Sequence, residues 1–66
     1  MNDLGKTISA LQDRLAECES FIAVLEREIP LMDPAGQGRK DRERILEEYR
    51  QRQERLRARI EELLPF

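Results

Sequence analysis

The fold of this chain is decided by residues 4–32, LGKTISALQDRLAECESFIAVLEREIPLM. Large apolar side chains and one thiol recur there in an unbroken four-three spacing. We assign them to the a and d positions of a heptad repeat, the two positions that face a partner helix. The a positions are Ile8, Leu15, Ile22 and Ile29, and the d positions are Leu4, Leu11, Cys18, Leu25 and Met32. Four heptads of this kind predict a packed α-helix.

A second apolar pattern runs through residues 39–64. Its a and d positions are Leu46, Tyr49, Gln53, Leu56, Ile60 and Leu63, so one member of this seam is polar. Pro65 follows and is expected to end the helix, because proline cannot continue a helical hydrogen-bond ladder. No Ser or Thr stands at the beginning of the pattern, and we place the helix start between Gly38 and Asp41.

The two patterns are separated by proline and glycine residues. Pro30 lacks an amide donor and crowds the carbonyl four residues earlier, so helix 1 is expected to kink or stop near it. Residues 33–38, DPAGQG, predict a bend in which Gly36 and Gly38 are free to take positive φ. The predicted boundaries are helix 1 at about 3–32, a loop at about 33–38 and helix 2 at about 39–64. Asn2 or Asp3 is the candidate N-cap of helix 1.

An antiparallel fold brings the two seams together. Pairing positions whose numbers sum to 71, such as Leu25 with Leu46, joins an a residue to a d residue in every layer. At the loop end, the aliphatic stem of Arg42 is expected to cover Ile29. The sequence thus predicts one all-α domain over residues 1–66, an antiparallel, coiled-coil-like two-helix hairpin. The predicted hairpin core is Ile8, Leu11, Leu15, Cys18, Ile22, Leu25, Leu46, Tyr49, Gln53, Leu56, Ile60 and Leu63.

The charges favour the same fold. Residues 1–32 hold six acidic and three basic side chains, whereas residues 39–66 hold seven acidic and nine basic ones. An acidic helix opposite a basic helix favours the folded-back arrangement. Within helix 2, ion pairs three or four residues apart are expected on the solvated face, such as Glu48 with Arg52 and Glu47 with Arg50.

A hairpin this small leaves much of its surface exposed, so a second contact surface is expected. Five apolar residues outside the seam form the candidate partner interface: Phe21, Val24, Leu31, Ile45 and Leu64. Two hairpins that dimerise into a four-helix bundle are the simplest closed solution, and we expect a homo-oligomer. In the alternative, Phe21 and Ile45 at g positions only widen the edge of the hairpin itself. Arg52 and Arg59 would then shield that edge.

Two seam residues carry open alternatives. Cys18 is expected to be a small buried hydrophobe with an inert thiol, and the alternative is a disulfide across the axis of a symmetric dimer. Gln53 fixes the register or the oligomeric state, as polar residues at a positions do in coiled coils. Alternatively, Gln53 lies near solvent and needs no partner.

The composition argues against catalysis and against a membrane. The 66 residues include no His and one Cys, so the usual zinc ligands are missing, and no glycine-rich phosphate loop is present. We therefore expect a non-enzymatic protein with no metal and no cofactor. No run of about 18 apolar residues occurs, so no membrane span is expected. The lone cysteine favours a reducing compartment, the cytoplasm, and ten Arg against two Lys suggest a bacterial or phage genome.

The arginines of helix 2 are the basis of an alternative function, nucleic-acid binding. Residues 39–59 hold nine basic and five acidic side chains. The acidic residues are interleaved at helical spacing, however, and the stretch has no aromatic platform for bases besides Tyr49, which the seam requires. A third alternative is structural: one continuous helix forming a rod of about 90 Å.

The expected function is that of a protein-protein interaction module, a small helical-hairpin adaptor, assembly factor or co-chaperone acting through apolar helix faces. In size and hairpin shape the chain resembles the small helical co-chaperones of bacterial type III secretion, which hold needle subunits before export. This resemblance is one of outline and involves no motif, so it assigns no residues.

Overall fold

Two long α-helices packed against each other form the structure, a computed structural model that describes residues 3–64. Helix α1 spans Asp3–Glu28, a 3₁₀ turn spans Ile29–Leu31, and helix α2 spans Gln37–Leu63. The described residues contain no β-strand, so the predicted all-α hairpin is confirmed. The molecule measures 53 by 15 by 15 Å, which excludes the continuous rod. Neither described helix is long and apolar enough to cross a membrane.

Helix α1 ends where Pro30 enters the chain. A helical residue 30 would donate its amide to the carbonyl of Glu26, and proline has no amide hydrogen to donate. The α-helix therefore stops at Glu28, and the chain tightens into the 3₁₀ turn, with Pro30 in its first residues. The amide of Met32 closes this turn on the carbonyl of Ile29 at 3.1 Å. The predicted helix 1 extended to residue 32, and its last turn is thus 3₁₀ in character.

The bend is a compact turn over residues 33–36. The amide of Gly36 donates to the carbonyl of Asp33 at 2.9 Å, and the amide of Ala35 donates to Asp33 Oδ1 at 3.0 Å. Asp, Pro and Gly at the first, second and fourth positions are the residues that a type I β-turn prefers. No residue between 3 and 64 has a positive φ, so neither Gly36 nor Gly38 uses the conformational freedom that glycine allows. The type I preference explains why, since that turn needs no positive φ.

Helix α2 begins at Gln37, two residues before the predicted start. Gly36 stands at the N-cap with an extended backbone, φ −79° and ψ 144°, and no side chain caps the helix. The first turn is tied to the loop instead, because Arg39 Nη1 donates to the carbonyl of Met32 at 3.3 Å. Gly38 also lies close to the loop: a Cβ there would lie 3.3 Å from Met32 Cε, so the tip of that methionine would have to shift by a few tenths of an ångström. Of the two candidate caps of helix 1, Asp3 is the first residue of α1, and Asn2 lies outside the described residues, as does Pro65, the expected stop of helix 2.

The buried core occupies the loop half of the hairpin. Five residues form one cluster: Cys18, Ile22, Leu25, Ile29 and Leu46. Leu25 is the most buried of them, at 1% exposure, and Ile60 is buried separately at 8%. The other predicted core residues are only partly buried, because a two-helix hairpin covers each seam residue from one side: Ile8, Leu11, Leu15, Tyr49, Gln53, Leu56 and Leu63. Ile29, which the sequence assigned to an a position under the Arg42 stem and not to the predicted hairpin core, belongs to the cluster as part of the 3₁₀ turn.

Candidate interaction surface

The heptad pattern gives the hairpin two different broad faces. In an antiparallel pair, e positions of one helix lie beside e positions of the other, and g positions lie beside g positions. Each face therefore combines one edge of α1 with one edge of α2. The side chains on these two edges differ in kind, and this difference is the basis for locating a functional site.

The e edges form a charged face. Glu26 Oε2 accepts from Arg50 Nη2 at 3.3 Å, and Glu19 Oε2 accepts from Arg57 Nη2 at 3.0 Å. Gln53 Nε2 donates to the same Glu19 oxygen at 3.2 Å. Both ion pairs join an α1 carboxylate to an α2 arginine, as the charge asymmetry between the halves favours. Their side chains are roughly half exposed, so each pair contributes at most about 1 kcal/mol.

Gln53 now has a physical role at this face. It is partly buried, and its amide reaches Glu19 on the opposite helix. The two residue numbers sum to 72, one away from the predicted register of 71. A hydrogen bond between the helices favours this register over a slipped one. Whether Gln53 also sets an oligomeric state stays a prediction.

The g edges form an apolar face, which we define by Phe21, Val24, Ile45, Tyr49 and Arg52. The rings of Phe21 and Tyr49 lie 4.6 Å apart between centroids at an interplanar angle of 59°. The guanidinium of Arg52 lies 4.8 Å from the centroid of the Tyr49 ring. Such aromatic and cation–π contacts add stability beyond the area they bury. Phe21 and Val24 nevertheless keep 38% and 41% of their surface exposed.

A surface depression of about 540 Å³ opens on the apolar face beside Phe21. Its apolar lining comes from Phe21, Tyr49 and Leu56, together with the Cys18 side chain. The lining is completed by three charged side chains, Arg14, Glu17 and Arg52. Sequence reasoning missed Arg14 and Glu17. Their signal was positional, since Arg14 lies two turns and Glu17 one turn before Phe21 on the same side of α1.

The five predicted interface residues do not form one patch. Phe21 and Val24 lie together, and Ile45 is partly buried against the core cluster. Leu31 is 84% exposed at the loop end, about 10 Å along the helix axis from Val24 at 1.5 Å per residue. Leu64 lies at the opposite end of the hairpin and is 37% exposed.

Leu4 is an exposed apolar residue that the seam assignment did not anticipate. It occupies a d position and was assigned to the core pattern, yet it is 45% exposed. The physical reason is the length of α2. That helix ends at Leu63, and within residues 3–64 no residue of α2 lies opposite Leu4 in the register.

The arginines of α2 are mostly engaged within the hairpin. Four of them pair with carboxylates: Arg39 with Glu43, Arg50 with Glu26, Arg57 with Glu19 and Arg59 with Glu62. The expected pairs of Arg52 with Glu48 and of Arg50 with Glu47 do not form among residues 3–64. Arg52 lies on the Tyr49 ring instead, and Arg50 reaches across to α1. Arg59, the other arginine of the shielding alternative, pairs with Glu62 on its own helix. These contacts leave fewer cations for nucleic-acid phosphates.

Cys18 is a free thiol in the core, 3% exposed, and its Sγ donates to the carbonyl of Tyr49 at 3.2 Å. We expect the native thiol to react with a disulfide reagent at least about tenfold more slowly than in denaturant, because reaction requires local opening. Absorbance after addition of the reagent measures both rates. Equal rates would show that the seam around Cys18 is open. A disulfide between two hairpins at Cys18 would likewise require the seam to open.

Comparison of the chain with protein-family models, with curated proteins and with solved structures gives no match.

Proposed function

We propose that this chain is a non-enzymatic protein-protein interaction module, an adaptor, assembly factor or co-chaperone that acts in the cytoplasm through its apolar face. In this proposal two hairpins associate through that face into a four-helix bundle. The observation that carries the proposal is the exposure of Phe21 and Val24 at the centre of the face. Both belong to a helix edge that has no covering element within residues 3–64.

The surface area of the hairpin supports a missing partner. The chain exposes 5306 Å², whereas a compact protein of 7.8 kDa exposes about 4,400 Å². One broad face of 53 by 15 Å has an area of about 800 Å², which is about what each partner buries in a stable complex. Docking on this face would thus cover an area comparable to the excess.

The difference between the two faces supports one-sided docking. On the charged face, Glu19 and Glu26 are already paired with arginines of α2. On the apolar face, the aromatic pair of Phe21 and Tyr49 lies beside an open depression. Interface centres are typically rich in aromatic residues and poor in charge. The apolar face is the one that fits this description.

The test is a double substitution, Phe21→Ser with Val24→Ser. We expect it to abolish self-association, because it removes the two large exposed apolar side chains at the centre of the proposed interface. Light scattering coupled to size exclusion measures the mass, and circular dichroism measures the helix content. The matched control is Ala16→Ser with Ala23→Ser, which places the same two serines on exposed positions of the same helix.

The outcome of this pair of variants decides the proposal. An assembled control and a monomeric, helical Phe21/Val24 variant would support it. An unchanged mass for the Phe21/Val24 variant would contradict it, because the apolar face would then not be the interface. The loss of the Phe21–Tyr49 ring contact lowers stability somewhat, so helix content is recorded for both variants at the same temperature.

A further inference from the structure

We infer that the apolar face binds a second copy of this chain in one specific orientation, with the α1 helices antiparallel and the two loops at opposite ends. This inference rests on the proposed self-association and adds the charged residues that select the orientation. The two copies are related by a two-fold axis that lies in the interface, perpendicular to the helices, and passes beside Phe21. Every contact then occurs twice, as an isologous interface requires.

The first support is the placement of charges on α1. Arg14 lies seven residues before Phe21 and Glu28 lies seven residues after it, so all three occupy the same g edge. When two α1 helices run antiparallel about an axis at Phe21, Arg14 of one copy lies level with Glu28 of the other. Both side chains are exposed, and neither makes an ion pair among residues 3–64.

The second support is an independent pair on α2. The ring contact between Phe21 and Tyr49 places the same axis near residues 49–51 of α2. Glu48 and Arg55 occupy c positions beside the g edge, on either side of this level, with their midpoint within about 4 Å of it at 1.5 Å per residue. Antiparallel α2 helices would therefore bring Glu48 of one copy to Arg55 of the other. Neither residue has an ion-pair partner among residues 3–64.

The same axis brings the two Arg52 residues close to each other, which by itself is unfavourable. The structure limits this repulsion, because the guanidinium lies on the Tyr49 ring of its own hairpin, 4.8 Å from the centroid. A two-fold axis parallel to the helices would instead pack α1 of one copy over α2 of the other and would remove the Arg14–Glu28 contacts. The charge pattern therefore favours the antiparallel copy over the parallel one.

The test is a charge swap. We expect Arg14→Glu and Glu28→Arg, each alone, to raise the dissociation constant of the dimer at least about tenfold, because each creates two like-charge contacts in place of two ion pairs. The double variant restores opposite charges and is expected to return within about threefold of the wild type. Sedimentation equilibrium of the full chain measures all four constants. The control is Arg44→Glu, an exposed position on the far side of α2, which should leave the constant unchanged.

The outcomes separate this inference from the proposed function. A weaker dimer with each single variant, together with near wild-type dimerisation of the double variant, supports the antiparallel arrangement. Three variants that all dimerise like the wild type would overturn the orientation, while self-association itself would stand. A wild type that stays monomeric would overturn both.

The orientation of the two copies can also be determined from the distance between their loops, without changing the charges of the interface. A spin label on Ala35→Cys, in a Cys18→Ser background, marks the exposed turn of each hairpin. The antiparallel dimer places the two labels more than about 30 Å apart, since each loop lies some ten residues of helical rise beyond Phe21. A distance below about 20 Å would place both loops at one end and would overturn the inference.

Discussion

Leu25→Ala is expected to destabilise the hairpin by about 2–5 kcal/mol, the usual cost of truncating a fully buried leucine. Leu25 is 1% exposed and belongs to the cluster that holds Ile22, Ile29 and Leu46. Few other side chains are buried, so the neighbouring residues can fill little of the cavity that the substitution leaves. For a domain of this size the loss is comparable to the whole free energy of unfolding. We expect most of the helical signal to be lost at 37 °C, as measured by circular dichroism during heating.

The matched control for this substitution is Leu4→Ala. The same atoms are removed, but Leu4 is 45% exposed near the open end of the hairpin. We expect a loss below about 1 kcal/mol, since less apolar surface leaves the protein interior. Equal effects of the two substitutions would show that Leu25 is not the centre of the core.

Ile22→Glu is expected to unfold the hairpin, whereas Ala23→Glu is expected to leave it folded. Ile22 is 6% exposed inside the core cluster, and Ala23, the next residue, faces solvent. Glutamate is a good helix former, so the substitutions differ mainly in the burial of the carboxylate. Burying an unpaired charge costs several kcal/mol, which exceeds the free energy of unfolding expected for a hairpin of this size.

Urea denaturation followed by circular dichroism compares these two glutamate variants. We expect a cooperative transition for Ala23→Glu and little helix for Ile22→Glu, even without denaturant. Cooperative unfolding of both at the same urea concentration would mean that α1 does not present its Ile22 edge to α2.

The hairpin itself was predictable because its signal is periodic. The four-three spacing of apolar residues continues over four heptads from Leu4 to Met32, and each of these heptads predicts a packed helix. The weaker apolar pattern from Leu46 onwards predicts the second helix that packs against it. Local chemistry also located the end of α1, since a proline without an amide donor must interrupt the hydrogen-bond ladder. The apolar periodicity and the helix break at Pro30 both depend on residues that are close in sequence, so they can be predicted without knowing the fold.

The details that failed depend on neighbours in space. Arg50 was expected to pair along its own helix, but Glu26 of α1 offers a partner across the seam. Gly36 was free to take a positive φ, but Asp33 and Pro34 favour a turn that does not use this freedom. Arg52 stacks on the ring of Tyr49, and the orientation of that ring depends on its packing against Phe21 of the other helix. Such choices among several available partners are settled by tertiary packing.

The candidate interface was only partly predictable for the same reason. The sequence grouped Phe21, Val24 and Leu31 as one stripe of helix 1, and Ile45 and Leu64 as its counterpart on helix 2. Phe21 and Val24 do lie on one helix edge, but the fold places Leu31 and Leu64 at opposite ends of the hairpin. The position of α2 decides which exposed apolar residues share a face, and the register of α2 is a property of the folded chain.

The most direct test of the central claim is the solution mass of the unmodified chain across a range of concentrations. The claim is that the hairpin leaves an apolar face that a second protein molecule covers. Size exclusion with light scattering is expected to give 2 × 7.8 kDa = 15.6 kDa at high concentration, with the mass falling on dilution. A folded, helical species of 7.8 kDa at every concentration would contradict it.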